Sequence, residues 1–201
     1  MAAGLMLLNI AVLAQSKARN AKHAESAQFI SFKRMADDAG IGFCIPDGFK
    51  EIKPVNNENF DADYAMALPG EDFEVWIQVR SLKQSWNSYE QLKDIRSRQL
   101  ENPDSLYKAT SRALALQLSF DNKYFSRNLQ PDILEQYNAD AGKTYLVNLS
   151  DSPETHRFKY AMLIALQKDH TGMVMALCLA NEKGPELFKN INKARDCLRF
   201  K

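Results

Sequence analysis

The stretch FKYAMLIALQKDHTGMVMALCL, residues 158–179, decides the fold. It holds two apolar runs, Phe158 to Leu166 and Gly172 to Leu179, separated by Lys168-Asp169-His170-Thr171. Runs this short, with no polar residue at every second place, read as strands covered on both faces, and the polar tetrad reads as the turn of the hairpin that joins them. Downstream, Leu187, Phe188, Ile191, Ala194 and Leu198 recur at helical spacing beside Lys189, Lys193 and Arg195, so an amphipathic helix from Pro185 is expected to close the fold.

Working back toward the start, residues 63–68 and 73–82 flank Pro69-Gly70-Glu71-Asp72 and predict a second hairpin. In its second strand Val75, Ile77 and Val79 share one face, while Trp76, Gln78 and Arg80 share the other. Ser88-x-x-Gln91 fits a capping box and predicts a helix starting there, with Tyr89, Leu92, Ile95 and Leu100 on its inner stripe. Asn102-Pro103 predicts a second helix through about Leu116, as an N-cap followed by Pro at the first helical position. Residues 118–128 carry both strand and turn signals, residues 131–137 resemble one or two helical turns, and residues 143–149 alternate like a strand. An order of strands, helices, then strands and a terminal helix defines an α+β fold, an antiparallel sheet with helices packed on it.

The chain has 201 residues, 45% hydrophobic and 25% charged, enough for one core without a metal or disulfide staple. Its net charge of +1 gives no electrostatic reason to expect nucleic acid as a partner. Residues 1–14 carry no charge and end in Val12-Leu13-Ala14 before Gln15, the pattern of a signal peptide cleaved after Ala14. The apolar run is too short to span a membrane, so no stable insertion is expected after cleavage. The missing basic n-region, and Lys17, Arg19 and Lys22 just downstream, count against that reading. Residues 15–38 read as a flexible or loosely helical leader and residues 39–201 as a single domain. The expected location is outside the cytoplasm, periplasmic or secreted.

At this point the chain resembles the PsbP-like α/β/α sandwich group over residues 40–201. The resemblance is carried by the opening Gly42-Phe43-Cys44-Ile45-Pro46-Asp47-Gly48-Phe49, the late hairpin of residues 158–179, and the closing Cys197-Leu198-Arg199-Phe200. It implies a fold, and binding in preference to catalysis. It transfers no functional residue.

Candidate chemistry is sparse. Gly142-Lys143-Thr144 looks like the tail of a phosphate-binding loop, but the first glycine of that pattern falls at Tyr137 and a strand follows where a helix is needed. Asp151, Ser152 and His156 lie close together on a proline-containing loop, a poor mount for a catalytic triad. Cys44, Cys178 and Cys197 show no metal-ligand spacing; Cys44 and Cys178, in apolar runs, are expected as buried thiols, the alternative being one disulfide and a spare thiol. Trp76, Gln78 and Arg80 are the candidate binding residues: an aromatic beside an amide and a guanidinium can form a recognition surface. The competing reading is a helix laid over that face, burying Trp76 and leaving Arg80 at its edge. The expectation is a non-enzymatic exported protein that needs no cofactor and binds an unidentified ligand or protein. A hydrolase of unrecognised type and a structural subunit of an envelope assembly are the alternatives.

Overall fold

A computed structural model describes residues 25–57, 60–96 and 100–201. Seven strands form one antiparallel sheet: β2 (Lys50–Ile52), β3 (Tyr64–Ala67), β4 (Phe73–Ser81), β5 (Ser119–Asn128), β6 (Ala141–Leu149), β7 (Tyr160–Lys168) and β8 (Gly172–Ala180). Their spatial order is β2-β3-β4-β8-β7-β6-β5. The hairpin of β7 and β8 therefore lies in the middle of the sheet, where two-sided burial requires its unbroken apolar sequence. A separate antiparallel pair joins β1 (Ile41–Phe43) to β9 (Leu198–Phe200), which brings the two ends of the described chain together.

Helices cover both faces. On one lie α1 (Ala27–Asp38), α4 (Pro131–Tyr137) and α5 (Pro185–Arg195), packed over the side chains of Val75, Ile77, Ile164, Leu166, Val174 and Cys178. On the other lie α2 (Lys83–Arg96) and α3 (Leu106–Leu118), over Trp76, Tyr145, Leu163, Met175 and Leu177. Alternate residues of each central strand feed opposite cores, as the period of two demands. The molecule is thus an α+β sandwich, helix layer, sheet, helix layer, as the apolar hairpin implied. No helix among the described residues is long and apolar enough to cross a membrane.

Four local expectations are corrected. The folded body begins before Ala39, because residues 27–38 form α1, capped by Ser26, whose Oγ accepts from the Phe29 amide at 2.9 Å. Phe32 and Ala36 of that helix are fully buried, and Phe32 stacks on Tyr64 at 4.8 Å and meets Phe43 edge-on at 4.9 Å. Burying a phenylalanine contributes about 1.5–3 kcal/mol, so α1 is part of the core and not a leader. The signal-peptide reading of residues 1–14, and residues 15–24, lie outside the described residues.

The helix expected from Ser88 starts at Lys83 instead, which places Ser88 and Gln91 inside α2. What anchors this start is Trp86, whose burial against the sheet outweighs a local capping motif. The closing helix stops at Arg195, and Leu198 belongs to β9, where pairing with Phe43 replaces the helical ladder. Residues 119–128 are a single edge strand, interrupted by an irregularity between Ser119 and Tyr124 with Asn122 at φ +55°, which accounts for their mixed signals. Gly142, the tempting phosphate-loop glycine, sits inside β6. A Cβ there would fall 2.6 Å from a methyl of Leu129, so close packing is what requires glycine.

Candidate functional site

Residues Glu74, Trp76, Gln78 and Arg80 alternate along one face of β4. Trp76 has no exposed surface: it lies in the core cluster that includes Leu114 and Ala115 of α3, with the Phe60 ring stacked 6.4 Å from it. Gln78 donates through Nε2 to the Asp61 carbonyl at 2.9 Å, and Arg80 is exposed at the strand's far end. Beside them Asp63 accepts the Val79 amide at 2.8 Å, and burial pushes its carboxyl above the ordinary range. The expected surface of Trp76, Gln78 and Arg80 is therefore broken at its aromatic member.

Trp76 nevertheless leads to the chemistry. Its indole N–H donates to Glu74 Oε2 at 2.8 Å, and the same carboxylate oxygen accepts from His156 Nδ1 at 2.9 Å. The imidazole ring stands edge-on to the indole, with centroids 5.2 Å apart. A carboxylate oxygen accepts, so in this pairing Nδ1 carries the proton. His156 holds this position because it terminates the short helical turn Pro153–Thr155 in a left-handed conformation, φ +51°. Ser152 caps that turn, accepting the Glu154 amide at 3.1 Å, and Asp151 pairs with Arg157 at 2.9 Å. The three loop residues of the rejected triad thus serve separate ends.

Glu74 and His156 form one wall of an open cleft of about 650 Å³ whose other wall is residues 52–56. Lys53 and Asn56 bring polar groups to it, and Ile52, Pro54 and Val55 bring apolar ones. Among the described lining residues none carries a hydroxyl or thiol. Arg157, also left-handed at φ +61°, turns the other way into a second cleft of about 530 Å³. Lys159 shares that space with Glu71, Asp72, Glu182 and Glu186, so carboxylates outnumber cations along its lining.

Sequence reasoning found Trp76 but passed over Glu74 and set His156 aside. The available signal was Glu74-x-Trp76, two polar-tipped residues on the same face of a strand. Nothing local ties either to His156, which lies 82 residues beyond Glu74.

The cysteines divide by depth. Cys44 is exposed, against the expectation of a buried thiol, because the strand run it belongs to ends at Phe43. Cys178 and Cys197 are buried, and burial pushes the Cys178 thiol up to about 12.

The fold defines the class: an α+β protein with an antiparallel sheet between two helix layers. One solved structure it is similar to is that of cyanobacterial PsbP from Synechocystis, with a TM-score of 0.38 and 9% identity over 81% of this chain and 88% of that one. This is a likeness of fold alone. No family model and no curated protein sequence matches the chain.

Proposed function

We propose that the chain is a non-enzymatic binding protein, working outside the cytoplasm, that holds a ligand or protein partner in the cleft between residues 52–56 and the Glu74–His156 pair. The carrying observation is the doubly anchored carboxylate. A buried indole and an imidazole converge on one oxygen, so the ring that faces the cleft is fixed before anything binds, which reduces the ordering cost of association. The lining combines an imidazole nitrogen, an amide and an ammonium with three apolar side chains, the mix that recognition sites use for orientation and for burial. A hydrolase that works through a serine or cysteine nucleophile is disfavoured, because the described lining brings no hydroxyl or thiol beside the imidazole.

The test is selection of short random peptides displayed on phage against the full chain, followed by affinity measurement of the enriched peptides. Replacing His156 by Gly, which adopts a positive φ without strain, is expected to weaken capture at least tenfold. Arg80→Ala is expected to leave it unchanged. Peptides that depend on Arg80 and ignore His156 would return the site to the far end of β4. Hydrolysis of a simple aryl ester that disappears in the His156 variant would favour the enzyme.

A further inference from the structure

The pair β1 and β9 runs in the register Ile41 to Phe200, Gly42 to Arg199 and Phe43 to Leu198. One step further the same register sets Cys44 opposite Cys197, and the backbone confirms it: the Cys44 amide donates to the Cys197 carbonyl at 3.0 Å. Directly opposed residues of an antiparallel pair put their side chains on the same face. At a hydrogen-bonded position their Cα atoms stand about 5.5 Å apart, within the span that a disulfide bridges. Cys178 lies on β8, opposite Val75 and Met162, in neither strand of this pair.

We infer that Cys44 and Cys197 are a disulfide-forming pair that locks the first and last strands of the described fold together, with Cys178 remaining a thiol. The two sulfurs are unequal in a way that orders the reaction. Cys44 is exposed; Cys197 is buried and donates its thiol to the Ala194 carbonyl at 2.6 Å. Burial, and then the neighbouring Cys44, push the Cys197 thiol upward. The oxidant is a disulfide, either a small molecule or another protein. Cys44, as thiolate, attacks one of its sulfurs, forming a mixed disulfide and expelling one thiolate. Cys197 then gives its proton to solvent, releases Ala194 and attacks the Cys44 sulfur, expelling the second. Two protein thiols and one disulfide become one protein disulfide and two thiols, a two-electron exchange. The second step is the slow one, because a buried thiol reacts only when β9 opens.

The bridge encloses nearly all of the described fold in one loop, the arrangement in which cross-linking removes most freedom from the unfolded chain. It is independent of the cleft at His156.

To test it, the purified full chain is equilibrated with excess oxidised glutathione, its remaining thiols are alkylated under denaturing conditions, and a non-reduced digest is read by mass spectrometry. The expected result is a Cys44–Cys197 cross-linked peptide with Cys178 alkylated, absent from Cys44→Ser, an exposed and structurally mild change. Oxidised wild type is expected to melt about 5 °C or more above the reduced form, a gap absent from Cys44→Ser. Three alkylated thiols after oxidation, a bridge containing Cys178, or dimers linked through Cys44 would each overturn the pairing. An oxidised chain that melts with the reduced one would overturn the lock.

Discussion

The chain's two tryptophans sit in two clusters built from the same parts. At one, Trp76 and His156 share the carboxylate of Glu74; at the other, Trp86 donates its indole N–H to Asp104 at 2.7 Å, and His170 also turns toward Asp104. Both histidines are left-handed, at φ +51° and +58°. The difference lies in which atom of the histidine is held. Glu74 grips the imidazole itself, at 2.9 Å, whereas Asp104 accepts the backbone amide of His170 at 3.0 Å and leaves its ring nitrogen 3.7 Å away. Gripping a backbone fastens the turn between β7 and β8 and leaves the ring packed on Trp86, centroids 3.9 Å apart. Gripping a ring aims its far nitrogen into a cleft. The same three kinds of group, an indole, a carboxylate and an imidazole, thus make a structural clasp in one place and a candidate binding group in the other.

That contrast can be broken by mutation. The largest effect is expected for Glu74→Ala, which strands the fully buried Trp76 N–H and should lower stability by about 2–3 kcal/mol in urea unfolding. Asp104→Ala should cost less, about 1–2 kcal/mol, because the Trp86 indole it abandons lies nearer the surface than Trp76 and the His170 amide is exposed, so water can replace both bonds. Equal costs would mean that the depth of the indole is irrelevant. His156→Gly should fall within about 1 kcal/mol, since its pair with Glu74 is partly exposed, while removing capture. His170→Gly, smallest of all, should stay within about 0.5 kcal/mol because the backbone bond survives. A His170 variant that lost capture as His156 is expected to would erase the distinction.

The sandwich was legible where burial is two-sided, since nothing but a covered strand uses Ala161 to Leu166 and Met173 to Leu179 without polar relief. It was illegible in α1, where Phe29, Phe32 and Ala36 are spread among Ser31, Lys33 and Arg34, and where the rings they meet, Phe43 and Tyr64, arrive from distant segments. The site divides in the same way. Face parity along β4 marked Trp76, but its meaning depends on Glu74 reaching across to a loop far along the chain, and such a contact leaves no periodic trace. The cysteine pair is a third case: spacing said nothing, and only the register of β1 on β9 sets Cys44 against Cys197.

The most direct measurement uses the two indole N–H resonances of the nitrogen-15 labelled chain, titrated with a phage-selected peptide. A ligand seated against His156 should shift the Trp76 indole signal, which shares Glu74 with that ring, and leave the Trp86 signal in place. Movement of Trp86 with Trp76 unmoved would contradict placement of the site at Glu74 and His156.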